Sequence, residues 1–202
     1  DALAQSCVGG LSVFAGEPRP DEHISTTNQL KHAVFQKAQN IHFLNVQSAF
    51  YYCWQKGLID WLENWQPDVL IVEANPRYIR TQNAVKWMHQ HGRPVLGWGL
   101  GAPAIHGSLA RLRQRARSRF IGQFDGMIAY SQRGAEEYAA SGGSVDRIFV
   151  ALNAVSPKPT QATIERKPGF SGSPVVLFVG RLQSRKRIDN LLIACASLPH
   201  EK

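Results

Sequence analysis

The chain of 202 residues has little cysteine and no long hydrophobic run. Its three cysteines, Cys7, Cys53 and Cys195, lie far apart, form no CxxC pair and have no histidine at a zinc-binding spacing. This pattern argues against a disulfide framework or a zinc site and favours reduced structural thiols in the cytoplasm. No apolar stretch approaches the roughly 18 residues of a membrane span, and no signal peptide is visible. We therefore expect a cytoplasmic chain.

The balance of charge is basic, with a formal net charge of +8. Such an excess favours anionic partners, which include nucleic acid, phosphorylated small molecules and acidic membrane surfaces, and it does not choose among them. Hydrophobic residues make up 44% of the chain and charged residues 19%. This composition is enough to bury a core and is not that of a disordered chain.

Short apolar runs bounded by turn residues predict the strands. The runs cover residues 68–74, 94–99, 126–131 and 147–155, with a weaker candidate at 9–18. They are continuous rather than alternating, as in the strands of a parallel sheet buried on both faces.

Apolar residues at helical spacing predict helices between these strands, at 46–65, 78–91 and 133–141. Strands that alternate with helices predict an α/β fold, here a Rossmann-like, doubly wound parallel sheet over roughly residues 1–155. In such sheets ligands bind beyond the carboxyl ends of the strands.

A second domain is predicted after a linker. Residues 156–174 contain four prolines and almost no periodicity, which favours a linker over the alternative of a surface loop inside one domain. A strand at 175–179 and an amphipathic helix then predict the first βα unit of a second Rossmann-like domain, in 175–202. The chain lacks an initial Met and the pattern runs almost to Lys202, so we expect both ends to be cut from a longer protein.

The turn between this strand and helix is rich in cations. After Gly180 come Arg181, Arg185, Lys186 and Arg187, with the helix predicted to begin near Ser184. Cations at a helix start oppose the helix dipole, and a bound anion would offset that cost. Gly180 would allow close backbone approach, Arg181 could grip phosphate oxygens with two hydrogen bonds, and Lys186 would act as a mobile charge. The alternative is a basic helix end that only faces water.

The segment VGRLQSRKRIDNLL resembles the GRL…K signature that opens the C-terminal domain of group-one glycosyltransferases with the GT-B fold. In that family the Arg and Lys of the motif hold the diphosphate of the donor, which maps onto Arg181 and Lys186. Ile188 and Asp189 also fit, whereas Arg187 stands where glycine is common. The stretch SQRGAEEYAASGGSVDRIFVALNAV before the linker agrees with the same family.

The resemblance implies an enzyme that transfers a hexosyl group, with retention, from a nucleotide diphosphate sugar to a glycan or lipid-linked acceptor. No DxD motif is present, which agrees with a metal-independent site, and the nucleotide sugar is a co-substrate rather than a cofactor. The family glutamates that touch the donor would lie beyond Lys202. We therefore assign no catalytic residue and expect the chain by itself to be inactive.

Glu73 and Asn75, at the end of the strand DVLIVEAN, are candidates for binding an acceptor at the carboxyl edge of the sheet. They could bind hydroxyl groups or anions together with the arginines that follow, Arg77 and Arg80. The alternative is a strand-end carboxylate that pairs with one of these arginines.

A glycine-rich segment, GLGAPA, follows the strand at 94–99 and formally fits the dinucleotide fingerprint. It lies too late in the domain for that role, so we interpret Gly99 and Gly101 as the floor of an acceptor cleft. The resembling family often has a histidine at this strand end, where Leu100 stands here. His106, six residues on, is the remaining candidate, against the alternative of a surface histidine.

Residues 108–121, SLARLRQRARSRFI, predict a basic amphipathic helix. Five arginines without an acid favour contact with an anionic membrane or a phosphorylated acceptor, which would place the protein at the inner face of the membrane. They are Arg111, Arg113, Arg115, Arg117 and Arg119. The alternative is a surface helix whose apolar stripe packs inward. Nucleic acid is disfavoured, because no recognition motif or aromatic platform accompanies the arginines.

Two other functions remain open from the sequence. A non-catalytic Rossmann-like protein could bind a phosphorylated or glycan ligand, and the missing strand-end histidine favours it. A nucleotide-sugar epimerase of the same fold would convert the sugar without an acceptor.

Overall fold

The computed structural model describes residues 1–19, 24–27, 29–45, 48, 50–152, 160, 176–180, 182 and 184–197. The chain divides into two compact units, Asp1–Ser156 and Pro157–Lys202. The segment 156–174, interpreted above as a linker, lies outside the described residues apart from Thr160.

Strands and helices alternate along most of the first unit. The strands are β1 Ser12–Gly16, β2 Val34–Phe43, β3 Tyr52–Lys56, β4 Leu70–Glu73, β5 Val95–Gly99, β6 Gly126–Ala129 and β7 Ile148–Val150. The helices among the described residues are α1 Ala2–Ser6, α2 Leu58–Trp65, α3 Thr81–Gln90, α4 Ala110–Ile121, α5 Gln132–Ala140 and α6 Ile188–Ala196. Short 3₁₀ turns lie at Val145–Arg147 and Ser184–Lys186. Each apolar run that predicted a strand in the first unit contains one.

Four of the strands form an all-parallel sheet in the order β4-β5-β6-β7. Helices flank it, so the mixed α/β architecture is confirmed and is compatible with a Rossmann-like fold. The register pairs Val72 with Gly97, Gly97 with Met127 and Met127 with Ile148, which places these residues on one face.

The core lies on that face of the sheet. α2 and α3 pack over Leu70 and Val95, while residues of α4 and α5 pack over Met127 and Ala129. The strands pair in the order in which they occur in the sequence. Since crossovers between parallel strands are right-handed, helices that join successive strands in this order fall on the same side.

The opposite face of the sheet is open to solvent. Ile71 and Trp98 are each 43% exposed there, and Phe149 is 58% exposed. The helices α2 to α5 therefore pack on one face of this sheet, and the second helical layer of the predicted doubly wound arrangement stays a prediction. A second helical layer needs strands that extend the sheet in the other direction from β4.

A second sheet, in the order β1-β2-β3, packs beside α2. β1 and β2 are parallel, whereas β2 and β3 are antiparallel. Phe14 of β1 stacks on Trp61 of α2 at 5.2 Å between ring centroids, and the indole N–H of Trp61 donates to the Ser12 hydroxyl at 2.9 Å. These contacts connect the second sheet to the main core.

The predicted helix at 46–65 is correct only in its second half. Residues 52–56 form β3 instead, and α2 begins after Gly57. Tyr52–Lys56 is rich in aromatic and polar residues that suit a pleated surface, and its backbone pairs with β2 along the whole strand. Pairing with the preceding strand, β2, therefore overrides the helical spacing.

The second unit differs from its prediction. Residues 176–179, placed in a strand from the sequence, are not in a strand, and their side chains are exposed. A strand needs a neighbour to accept and donate ladder hydrogen bonds, and the described part of this unit offers none. Where a helix was predicted to begin near Ser184, a 3₁₀ turn comes first and α6 follows from Ile188.

Asp125 ties the start of β6 to the start of β5. Its carboxylate oxygen Oδ2 accepts the Val95 amide at 2.7 Å and lies 2.9 Å from His89 Nε2. Partial burial tends to raise the pKa of Asp125. Hydrogen bonds from Val95 and His89, with the charges of His89 and Arg147, nevertheless leave that pKa below its ordinary value.

Replacing Asp125 by Ala should lower the free energy of unfolding by about 1–2 kcal/mol at pH 7, because the buried Val95 amide loses its side-chain acceptor. Asp125→Asn keeps a hydrogen-bond acceptor for this amide, so its free energy of unfolding should fall by less. The lowered pKa means that the carboxylate stabilises the fold above pH of about 4. Denaturant titration should therefore show that the free energy of unfolding of the wild type approaches that of Asp125→Asn as the pH falls below that value.

Asp68 supplies the matched control for this experiment. It stands just before β4, as Asp125 stands just before β6, and within the described ranges its side chain makes no hydrogen bond. Asp68→Ala should change stability by less than about 0.5 kcal/mol. Equal losses in the two alanine variants would contradict the structural role of Asp125.

Candidate functional site

The carboxyl ends of β4, β5 and β6 lie side by side and form one edge. Hydrogen bonds continue the ladder past the strands, from the Ala74 amide to the Trp98 carbonyl at 2.8 Å and from the Tyr130 amide to the Gly99 carbonyl at 3.1 Å. The segments that follow the three strands therefore leave the sheet next to one another. We call this group of strand ends and following residues the carboxyl edge.

Glu73 and Asn75 are joined at the carboxyl edge. The Asn75 amide group donates to Glu73 Oε1 at 3.1 Å, and Asn75 Oδ1 accepts the Arg77 backbone amide at 3.1 Å. Within the described residues Glu73 forms no ion pair with an arginine. Arg80 lies over the Trp54 ring instead, with its guanidinium carbon 4.7 Å from the centroid. The alternative of a strand-end carboxylate neutralised by Arg77 or Arg80 is therefore wrong.

The charge of Glu73 acts on groups of neighbouring elements. Burial raises the pKa of Tyr130, and the negative charge of Glu73 raises it further. Burial also raises the pKa of Tyr138, where Glu73 again contributes in the same direction. Glu73 itself is exposed. Such a carboxylate, with the amide of Asn75 beside it, can accept hydrogen bonds from hydroxyl groups of a ligand.

Gly99 and Gly101 serve close packing on α5. A Cβ added to Gly99 would lie 2.5 Å from the Tyr138 hydroxyl, and one on Gly101 would lie 2.8 Å from the Gly134 Cα. Gly101 also has a φ of +127°. Their interpretation as the floor of an acceptor cleft stays a prediction, and close packing against Tyr138 and Gly134 of α5 gives a separate structural reason for these glycines.

Gly101→Ala should lower the free energy of unfolding by about 3 kcal/mol, from roughly 1 kcal/mol of backbone strain and about 2 kcal/mol of overpacking. Gly107 is the matched control, because its φ is +101° and nothing lies within 4 Å of an added Cβ. Gly107→Ala should lose only the strain, about 1 kcal/mol. Similar losses in thermal or denaturant unfolding would contradict the packing role of Gly101.

His106 is not brought to Glu73 or Asn75 by a contact. It lies exposed in the loop between β5 and α4, and it makes no hydrogen bond to any residue that the structure describes. Leu100, at the strand end where the resembling family often has histidine, is 75% exposed.

An aromatic site beside β4 was missed from the sequence. The guanidinium carbons of Arg19 and Arg77 lie 5.3 and 5.9 Å from the centroid of the Tyr51 ring, and His42 Nδ1 lies 2.8 Å from the Tyr51 hydroxyl. This group lies next to the segment that follows β4, because the Cys53 amide donates to the Arg77 carbonyl at 2.9 Å. Residue 51 had been assigned to a helix, so its position next to Arg77 had no signal in the sequence.

Burial raises the pKa of the Cys53 thiol, partly offset by a hydrogen bond with Tyr51 and by the charge of Arg19, and Glu73 raises it again. A buried thiol with a raised pKa is a poor nucleophile. Cys53 is therefore a packing residue of this site.

The basic turn of the second unit is described in part. Gly180 and Lys186 are exposed, and the Lys186 side chain makes no ion pair within the described residues. Arg187 has a φ of +49°, and its guanidinium donates to Asp189 at 3.3 Å and to Asn190 at 2.8 Å. Arg181 lies outside the described residues. Of the described cations here, Arg187 is neutralised by its own helix and Lys186 is not.

The arginines of α4 separate into two groups. Arg117 points inward and donates to the Pro103 carbonyl, and burial lowers its pKa, as does the charge of Arg113. The other four are exposed and form no ion pair within the described part of the chain: Arg111, Arg113, Arg115 and Arg119. We therefore do not include Arg117 among the arginines that could contact a membrane or an anionic acceptor.

Comparison of the sequence with protein-family models gives no match, and comparison with curated proteins gives none either. Among the described residues, no group of three or more His, Cys, Asp or Glu side chains could hold a metal ion. None of the described helices has the length and apolar character needed to cross a membrane.

Proposed function

We propose that the chain contributes the acceptor-side domain and the donor-diphosphate turn of a nucleotide-sugar-dependent glycosyltransferase. The observation that carries this proposal is the segment GRLQSRK, residues 180–186, with its resemblance to the donor-diphosphate motif of group-one glycosyltransferases. In this proposal Arg181 and Lys186 bind the diphosphate of the donor, and Gly180 lets the backbone approach it.

The conformation of Arg187 supports the resemblance. The family commonly has glycine at this position, and here the residue has a φ of +49°, a left-handed conformation that glycine adopts without strain. The side chain of Arg187 is also engaged within its own helix, with Asp189 and Asn190. Arg187 therefore retains the backbone conformation that glycine would adopt in this turn. Lys186 remains exposed and can contact a phosphate.

The proposed reaction transfers a hexosyl group to a glycan or lipid-linked acceptor. Negative charge builds up on the diphosphate as it leaves, and fixed cations such as Arg181 and Lys186 stabilise that charge without a metal ion. Glu73 and Asn75 at the carboxyl edge would accept and donate hydrogen bonds to the acceptor hydroxyls. We assign them to binding and not to proton transfer.

We also propose that this activity lies in the cytoplasm. All three cysteines are free, and Cys53 is buried as an ordinary core residue. Free thiols of this kind are typical of proteins in reducing compartments.

A pair of neighbouring variants tests the donor turn. Lys186→Ala and Arg187→Gly each remove one positive charge, and glycine suits the left-handed conformation at 187. Calorimetric titration with uridine and guanosine diphosphates should show affinity for at least one of them. Lys186→Ala should weaken that affinity about tenfold, because a charge-assisted contact to phosphate is lost. Arg187→Gly should stay within about twofold, since Arg187 already pairs with Asp189.

The matched charges of the two variants separate a specific contact from a general loss of positive potential. Equal weakening by both substitutions would indicate only general attraction of an anion to a basic surface. That result, or the absence of diphosphate binding by the wild type, would contradict the donor turn.

A second candidate function rests on Leu100. An apolar side chain stands at the strand end where the resembling family often has histidine, which favours a protein that binds a phosphorylated or glycan ligand without transferring sugar. Because the chain by itself is expected to be inactive, the test uses the longer protein predicted from the sequence, in which binding of a nucleotide sugar with neither transfer nor hydrolysis would support this candidate. Slow hydrolysis of the bound nucleotide sugar, abolished by Lys186→Ala, would exclude it.

A further inference from the structure

The outward side of α4 combines two rows of side chains that differ in chemistry. Arg111, Arg115 and Arg119 follow one another at intervals of four residues, so they form a row along the helix. A second row beside it consists of Leu109, Leu112 and Ala116. All six side chains are exposed. We call these two rows the α4 outer face.

The apolar row of this face does not pack against the part of the protein that the structure describes. Leu109 and Leu112 are each 64% exposed. The stripe predicted from the sequence also includes Ala116 and Phe120, and of its four members Phe120 alone is buried, at 4% exposed. The alternative that the whole stripe packs inward is therefore wrong. Two adjacent exposed leucines carry an unfavourable contact with water that a partner with an apolar layer would remove.

The arginine row is also unsatisfied. Within the described part of the chain, none of its three members forms an ion pair, and like charges four residues apart in a helix repel. The partner that satisfies this row has to be anionic.

The inner side of α4 fixes the orientation of the outer face. Phe120 and Ile121 are buried, Arg117 donates to the Pro103 carbonyl, and the Gln114 amide donates to the Ser141 hydroxyl at 3.4 Å. The helix therefore cannot turn its leucines into the core without giving up these contacts. The outer face is presented to a partner as a fixed surface.

We propose that the α4 outer face docks on an anionic lipid bilayer. Leu109 and Leu112 enter the boundary between headgroups and acyl chains, while the arginine row contacts lipid phosphates at the level of the headgroups. Juxtaposed basic and apolar rows fit a bilayer surface, which offers both layers at once. A soluble polyanion such as nucleic acid would use the arginines and leave the leucines in water. This inference does not depend on the proposed transferase activity.

Co-sedimentation with lipid vesicles tests the proposal. The full chain is mixed with vesicles of phosphatidylcholine alone or of phosphatidylcholine with one third phosphatidylglycerol, at low and at high ionic strength. We expect binding to the anionic vesicles that weakens with salt and little binding to the neutral ones.

Substitution of the arginine row, in Arg111→Gln/Arg115→Gln/Arg119→Gln, should weaken binding to anionic vesicles at least about tenfold. The control with the same loss of charge replaces three exposed lysines on other elements, in Lys31→Gln/Lys56→Gln/Lys86→Gln, and should bind nearly as the wild type does. Replacing the three arginines by lysine should preserve most of the binding, because charge is kept.

Substitution of the apolar row, in Leu109→Ser/Leu112→Ser, should weaken vesicle binding about tenfold without changing the charge. Val8→Ser/Val145→Ser is the control, since both valines are exposed elsewhere. Thermal melts check that the variants keep the wild-type fold. Failure of the wild type to bind anionic vesicles, equal losses in variant and control, or binding that is indifferent to the leucines would overturn the proposal. Indifference to the leucines would indicate a soluble polyanion instead.

Discussion

The pairing of β4, β5, β6 and β7 in their sequence order is the constraint on which the first unit depends. With right-handed crossovers, this order sends the intervening helices to one side of the sheet and aligns the strand ends at one edge. The first consequence is a core on a single face. The second is that Glu73 and Asn75 meet the residues that follow β5 and β6, although they are far apart in the sequence.

Five strands of the first unit, β1 and β4 to β7, and most helices were predictable because burial on the core face is recorded in the sequence as apolar runs, whereas β2 was not predicted. The exposure of the opposite face of the sheet was not predictable, because Ile71, Trp98 and Phe149 are as apolar as the residues that are buried. β3 was missed for a related reason. Its aromatic residues continue the helical spacing of α2 across Gly57, and only the pairing of β3 with β2 decides between the two structures.

The candidate site was predictable in its location and less so in the roles of its residues. Strand ends can be read from the sequence, so Glu73 and Asn75 could be placed at the carboxyl edge, and their role in binding stays a prediction. The glycine-rich loop after β5 matched a ligand-binding pattern, whereas Gly101 is explained by contact with α5. The arginines of α4 look alike in the sequence, and only the structure separates the inward Arg117 from the exposed row. In each case the deciding contact comes from another element of the fold.

The central claim is that the basic turn at 180–186 binds the diphosphate of a nucleotide sugar. Titration of the isotope-labelled chain with whichever of uridine and guanosine diphosphate it binds, followed by amide chemical shifts in solution, tests it most directly. The account predicts that the largest shifts fall on Gly180, Lys186 and the residues adjacent to them. Shifts confined to other regions, such as the depression along α3 lined by Asn83, Lys86 and His89, would contradict it.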